Sequence, residues 1–283
     1  MKNPLLTHQL TGLWILGVSG GPDSMALLSM AHEAHLTIHV VHVNYQKRET
    51  AQRDEAIVVH YCQRHSIPYT LEYAKYAQGN FQAWARNIRY QVMVNKALEL
   101  SATGCMVAHH LLDDLETFEL QKSRKSLVEW YGLKVESDYA GVKILRPLLD
   151  VSKEELVAYC SQRKVEFGID ESNESLTYTR NRIRKELIKL DMDQQRSLLE
   201  EKNTLNEDRH ELLFRYRPEL NRREIHEEIY KEIIQAWPLF LFEWIRHQTS
   251  LYPLALSYVQ ELSRQLIQSQ SLKISLNEQW ILL

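Results

Sequence analysis

Six residues constrain this chain more than any others: Ser19–Ser24, reading SGGPDS. The apolar run LWILGV (13–18) enters them and SMALLSMAHEAH (24–35) leaves them. The first has the content of a buried strand and the second that of a helix. A strand, a glycine-rich corner and a helix form a cradle in which backbone N–H groups of Gly20 and Gly21 can approach an anion without Cβ obstruction. The helix that starts near Ser24 adds its positive dipole end, and the Ser19 and Ser24 hydroxyls add donors, all of which favour phosphate. The lysine of GxxxxGK[ST] and the spacing of GxGxxG are both missing, which excludes a Walker A loop and the dinucleotide fingerprint. Asp23 would repel a phosphate unless a cation stood between them, and Mg2+ shared by Asp23 and pyrophosphate oxygens removes that conflict. The other reading is a tight turn whose aspartate caps the next helix.

The rest of the first two thirds repeats the alternation. IHVVHVN (38–44), PYTLEY (68–73), GCMVAHH (104–110) and a weaker VKILRP (142–147) read as strands. ETAQRDEAIVVHYCQRH (49–65) and NFQAWARNIRYQVMVNKALELS (80–101) read as helices. The pattern predicts an α/β fold over residues 1–190: a parallel twisted sheet of about five strands with helices on both faces. Ligands on such sheets bind beyond the carboxyl ends of the strands, and SGGPDS, HVNYQKR and AHH all follow strands. From 191 to 283 glycine is absent and Glu, Gln, Leu and Arg dominate. EIHEEIYKEIIQAWPLFLFEWIRHQ looks helical, with Pro238 as a break or new first turn. A smaller, mainly helical domain is expected over 191–283.

Three scattered cysteines in 283 residues suggest neither a disulfide framework nor a zinc ribbon, and fit a reducing, cytoplasmic setting. No secretory leader is expected from MKNPLLTHQLTG, and no apolar stretch approaches membrane-spanning length, so no membrane partner is expected. A net charge of -3 argues against general nucleic-acid binding and leaves polyanion contact to local patches. One such patch is Arg180, Asn181, Arg182, Arg184 and Lys185, suited to an RNA backbone; the alternative is a charged helix paired to Glu186 and its neighbours. Arg86 and Arg89 share a helix face and can hold phosphates or a developing charge, or form surface ion pairs. Trp84, Tyr90, Trp130 and Tyr131 can stack on a base, with core packing the plainer reading. Ser152 and Glu155 form a capping box.

SGGPDS resembles the SGGxDS pyrophosphate loop of the N-type ATP pyrophosphatases. VHVNYQKRETAQRDE (41–55), WARNIRYQVM (84–93), AHHLLDDLET (108–117), LRPLLDVSKEELVAYC (145–160) and DESNESLTYTRNRIRKEL (170–187) narrow the resemblance to the tRNA(Ile)-lysidine synthetases, the short form of small-genome bacteria in particular. Tyr45 and Gln46 stand where that family usually has His and Gly. Leu112 stands where its first paired aspartate is expected and Asp113 where the second is, leaving Asp114 extra.

The resemblance implies ATP and Mg2+ as cofactors, with L-lysine and an isoleucine tRNA bearing the CAU anticodon as partners. It implies that lysine joins the C2 carbon of the wobble cytidine through an adenylated cytidine, releasing AMP and pyrophosphate. Ser19, Gly20, Gly21, Pro22, Asp23 and Ser24 are then the ATP loop, Asp23 the Mg2+ ligand, and Asp23, Arg86, Arg89, His110 and Asp113 the catalytic set. Arg180, Asn181, Arg182, Arg184 and Lys185 are then tRNA contacts; a homodimer is one option for assembly. The rivals are a tRNA thiolation enzyme, an amidating relative of GMP synthetase, and a non-catalytic ATP-binding regulator.

Overall fold

The computed structural model describes residues 3–7, 10–46, 50–76, 78–125, 128–169, 178–220, 237–248, 259, 261–265, 273–276 and 279–282. The alternation folds as β1 (Leu13–Gly17), α1 (Pro22–Glu33), β2 (Thr37–Asn44), α2 (Ala51–Arg64), β3 (Tyr69–Tyr73), α3 (Phe81–Glu99), β4 (Gly104–Val107) and α4 (Leu111–Ser123). Then come β5 (Glu136–Tyr139), β6 (Val142–Leu145), α5 (Lys153–Arg163) and α6 (Tyr178–Ile188).

The sheet order is β3-β2-β1-β4-β6-β5. Every neighbouring pair is parallel except β5–β6. The strand added to the expected five is β5, whose sequence ESDY has no apolar alternation to mark it. It closes the sheet as a short polar antiparallel edge, which resists further strand pairing. Adjacent residues of the central strands feed opposite layers. Leu16, Val40, Met106 and Leu145 pack with α1, α2 and α5, whereas Ile15, Val41, Cys105 and Ile144 pack with α3. Each such apolar side chain contributes roughly 1.5–3 kcal/mol by leaving water. Burial on both faces explains why these strands read as continuous apolar runs.

Caps set the helix starts. The Asn80 side chain accepts from the N–H groups of Gln82 and Ala83 at the head of α3. The capping box at Ser152 and Glu155 is present at the head of α5. α1 has no side-chain cap and begins with Pro22, so its first N–H groups stay open at the loop.

The chain divides into two units, Met1–Thr117 with Gly132–Met192, and Phe118–Tyr131 with Asp193–Leu283. The second unit therefore takes in a short segment that lies inside the first domain in sequence. It contains α7 (Met192–Arg215), α8 (Arg217–Leu220) and α9 (Trp237–Gln248), and an antiparallel hairpin of β7 (Lys273–Leu276) and β8 (Gln279–Leu282). Pro238 stands in the first turn of α9, where its missing N–H costs nothing. Phe240 and Trp244 are fully buried. Asn206 holds Tyr131 from both sides, accepting from its N–H at 2.8 Å and donating to its carbonyl at 3.1 Å. Residues 170–177 of the basic segment, 221–224 of RYRPELNRRE (215–224) and 224–236 of the long expected helix lie outside the described residues.

Candidate active site

The strand order reverses between β1 and β4, whose neighbours extend in opposite directions. The crevice beyond such a reversal is where doubly wound sheets bind ligands. SGGPDS leaves β1 there and His109–His110 leave β4, since Gly17 and Val107 are paired in register.

Side chains and neighbouring backbone hold the loop in shape. The Ser19 N–H donates to Ser24 Oγ at 3.1 Å, and Ser24 Oγ donates to the Gly21 carbonyl at 3.0 Å. The buried His42 donates from Nδ1 to the Val18 carbonyl at 2.9 Å. Gly20 has φ +91, and a Cβ there would lie 2.8 Å from the Asp54 carbonyl oxygen, so conformation and space both require glycine. The N–H groups of Gly20 and Gly21 have no acceptor among the described residues.

Asp23 stands in the first turn of α1 with its Oδ1 buried and unpartnered. Burial raises its carboxyl above the ordinary range, against the pull of His110 and Lys153 and with Asp113 adding to the rise. An orphaned buried carboxylate oxygen beside open N–H groups fits a cation shared with phosphate. Among the described residues no cluster of three or more His, Cys, Asp or Glu side chains forms a ready metal cage. Such a site matches Mg2+, which takes one or two carboxylates and completes its shell with phosphate oxygens and water.

His110 is the hub. Its Nδ1 accepts the Leu112 N–H at 3.2 Å, which puts the neutral ring's proton on Nε2. That Nε2 lies 3.7 Å from Asp23 Oδ2 and 3.5 Å from Asp113 Oδ2. Burial alone would raise the Asp113 carboxyl, but His110, His109, Arg184 and the His110 N–H hold it below the ordinary range. Asp114 points elsewhere: it is fully buried and accepts the Leu133 N–H at 2.6 Å. Leu112 is buried and has no polar side-chain atom, so Asp113 alone of the pair reaches the hub.

Basic groups gather around His109. Burial pushes its imidazole down to about 3, against the pull of Asp113 and helped by Arg89, Arg86 and Arg146. Arg86 and Arg89 both lean over the Tyr90 ring, at 4.9 and 5.9 Å from its centroid. Neither has a carboxylate partner among the described residues. A cavity of about 370 Å3 opens beside them, lined by Arg86, Asn87, Tyr90, Ser137, Tyr139 and Arg146. Arg89 Nε, Tyr90 OH, His109 Nδ1 and Arg146 Nε are buried without a partner among the described residues, polar groups that an ion or water can satisfy.

α6 brings two more arginines. Arg184 Nη1 donates to Glu116 Oε2 at 2.9 Å and to Asp113 Oδ1 at 3.3 Å, and Arg180 Nε donates to Glu116 Oε1. Arg180 and Arg184 thus turn inward, whereas Arg182 and Lys185 are exposed. The Asn181 side chain lies outside the description. Glu116, Arg146 and His109 were not among the site residues expected from the sequence. Glu116 lay in the AHHLLDDLET stretch, but its partners are about sixty residues away in sequence and carry no local signal.

Of the aromatic candidates, Tyr90 is buried, Trp84 joins Tyr45, Tyr76 and Phe81 in a ring cluster, and Tyr131 packs edge-on against Phe118. Tyr45 also donates to the Ala85 carbonyl at 2.9 Å, so this residue anchors α3.

A family model described as a PP-loop domain matches residues 3–191. The chain belongs to the PP-loop family. It is 38% identical over 177 residues to a tRNA(Ile)-lysidine synthase of Mycoplasma pneumoniae, covering 62% of this chain and 61% of that protein. A tRNA(Ile)-lysidine synthase of Ureaplasma parvum is 38% identical over 179 residues, covering 61% of this chain and 53% of that one. This PP-loop chain thus matches little more than half the length of those curated relatives. The solved U34-tRNA thiolase NcsA of Methanococcus maripaludis shares the fold, with a TM-score of 0.59 over 69% of this chain and 73% of that one at 15% identity. The cysteines differ from a reactive set: Cys62, Cys105 and Cys160 are free and buried, and burial pushes each thiol up to about 12. No helix among the described residues is long and apolar enough to cross a membrane.

Proposed function

We propose that this PP-loop chain is a tRNA(Ile)-lysidine synthetase, joining L-lysine to the C2 carbon of the wobble cytidine of isoleucine tRNA with anticodon CAU. One observation carries the reading: SGGPDS and the His110–Asp113 pair meet at the switch point of the sheet, His110 Nε2 lying 3.7 Å from Asp23 and 3.5 Å from Asp113. The relatives' names supply the substrate class.

The residues fit a two-step reaction. Open N–H groups of Gly20 and Gly21, with the Ser19 hydroxyl, take the β and γ phosphates of ATP, the Ser24 hydroxyl braces the loop, and Pro22 starts the helix whose N-terminus faces them. Asp23 would hold Mg2+, which supplies charge neutralisation for the departing pyrophosphate. The cytosine O2 attacks the α-phosphorus, the bond to pyrophosphate breaks, and an adenylated cytidine results. Arg86 and Arg89, free of carboxylates, stabilise the charge on that phosphoryl group. In the second step the lysine amine adds to C2, and AMP leaves with the former O2. A free lysine amine has a pKa of about 10.4; Asp113, held ionised, binds the ammonium and accepts its proton before the neutral amine adds to C2, and His110 Nε2 beside it assists that proton movement. Arg182, Lys185 and Asn181 contact the tRNA backbone, and Arg180 and Arg184 shape the floor on which the base sits. A cytoplasmic setting suits three free thiols. Homodimer assembly is compatible with this chemistry and not required by it.

The experiment supplies ATP, Mg2+, labelled lysine and isoleucine tRNA bearing CAU, with methionine tRNA as control. Label on the isoleucine tRNA's wobble cytidine is expected. ATP binding with no pyrophosphate release overturns the reading in favour of a regulator. Activity retained when the three cysteines are replaced by Ser excludes thiolation.

A further inference from the structure

Asp54, in the first turn of α2, has no part in the chemistry above, yet it touches two glycines at once. A Cβ on Gly20 would lie 2.8 Å from the Asp54 carbonyl oxygen and 2.9 Å from its Cβ; a Cβ on Gly168 would lie 2.1 Å from Asp54 Oδ1. Gly168 does not have a left-handed φ, so a Cβ there is opposed by space alone, against the ends of the Asp54 and Arg53 side chains. The Gly168 N–H donates to the Gly20 carbonyl at 2.8 Å. Arg53 completes the arrangement, donating from Nε at 3.0 Å and Nη2 at 2.8 Å to Asp54 Oδ1, and from Nη2 to the Ile169 carbonyl at 3.0 Å. Three segments remote in sequence therefore meet at one residue: the phosphate loop faces the Asp54 backbone and Cβ, and the stretch after α5 faces its carboxylate at the head of α2.

The peptide joining Gly20 to Gly21 is planar and trans, so its C=O and N–H point in opposite directions. Gly168 ties down the C=O, and the N–H of Gly21 is thereby turned the other way. That N–H is one of the open donors of the cradle. A loop of glycines would otherwise have to order this peptide when the ligand arrives, at an entropic cost to affinity.

We propose that Asp54 is a positioning residue, a wedge between Gly20 and Gly168 that presets the Gly20–Gly21 peptide for a phosphate oxygen. The inference rests on the phosphate reading of the loop, not on the identity of the tRNA or amine.

The test uses the full chain and the variants Gly168→Ala, Asp54→Ala and the pair together. Affinities for MgATP and for inorganic pyrophosphate are measured by calorimetry, amide exchange over residues 19–24 by mass spectrometry, and folding by thermal melts. Gly168→Ala is expected to weaken MgATP binding about tenfold, the worth of one misdirected hydrogen bond to a charged group, and to speed exchange in the loop. Asp54→Ala keeps the Cβ and backbone atoms that face Gly20, so its loss is only about two- to threefold. The double variant is expected to bind more tightly than Gly168→Ala, because the oxygen that the new Cβ strikes is gone. Wild-type affinity and exchange in Gly168→Ala, or no rescue in the double variant, overturns the wedge. Should Gly168→Ala fail to fold, Arg53→Ala frees Asp54 and Ile169 without a clash and is expected to raise loop exchange severalfold; unchanged exchange there overturns the wedge. Wild-type protein that binds neither MgATP nor pyrophosphate refutes the phosphate reading, and the exchange data then decide separately whether Asp54 orders the loop.

Discussion

The Arg184 guanidinium is bound to the buried Glu116 carboxylate, Nη1 to Oε2 at 2.9 Å. Arg180 takes the other oxygen of the same group, so one carboxylate from α4 fixes two arginines from α6. Glu116 is 4% exposed, against 24% for Arg184 and 43% for Arg180. Burial at the acid end makes this pair worth more than a surface bridge.

Glu116→Gln keeps the shape and removes the charge. The arginines can reach water, so the loss falls short of that for a wholly buried pair. A fall of about 1–3 kcal/mol in unfolding free energy is expected, seen as a lower urea midpoint at unchanged slope.

Asp23 sets stability against function. Its folded carboxyl is raised, chiefly by burial. Such a group binds its proton more tightly folded than unfolded, so stability falls as pH rises from the unfolded value of about 3.9 through the folded one. At neutral pH the charged side chain is therefore a cost. Asp23→Asn in EDTA is expected to be more stable than wild type by about 0.5–2 kcal/mol at pH 7, with the gain vanishing below about pH 4. With MgATP the order reverses, because only the wild type gains binding energy. Thermal melts across pH, with and without MgATP, check both halves.

Much of this arrangement was legible from local sequence. The strand–loop–helix at SGGPDS, the alternation that follows and the capping box at Ser152 are short-range patterns, and all three are present. β4 ends at Val107, short of the expected His110, because the chain leaves the sheet to start α4; His110 keeps one bridge, to Leu148. β5 was illegible because ESDY has no apolar alternation to read. The inward turn of Arg180 and Arg184 was illegible because a basic run looks alike whether it faces water or a buried glutamate. Lys202, Asn206 and Arg209 on α7 are polar yet buried, Arg209 lying over the Tyr131 ring at 5.4 Å.

His109 gives the acid limb of stability a testable slope. Burial, with three arginines nearby, depresses its folded pKa to about 3. A depressed histidine is neutral when folded and takes a proton when unfolded, so stability is full above the unfolded value of about 6.5. It is lost as pH falls toward 3. One proton is worth about 1.4 kcal/mol per pH unit in that window. His109→Gln is expected to flatten the curve between about pH 6 and 4, as read by urea melts at each pH. An unchanged slope in the variant would refute a buried neutral His109.

The outward and inward halves of α6 should separate in tRNA binding. Arg182 is 60% exposed and only 4.0 Å from Glu186 at its nearest, and Lys185 is exposed beside it. Lys185, and Arg182 by giving up its long exposed pair with Glu186, can replace counterions on a phosphate. Arg182→Ala and Lys185→Ala are expected to weaken tRNA binding at low salt, each reducing the slope of log K against log salt by about 0.7–0.9. Arg184→Lys keeps the charge but loses the fork that spans Glu116 and Asp113. It is expected to leave the salt slope unchanged and to lower the turnover of bound tRNA. Filter binding over a salt series, beside single-turnover pyrophosphate release, distinguishes the two. A salt slope lowered by Arg184→Gln, which removes the charge, as it is by Arg182→Ala would mean that Arg184 leaves Glu116 for the RNA.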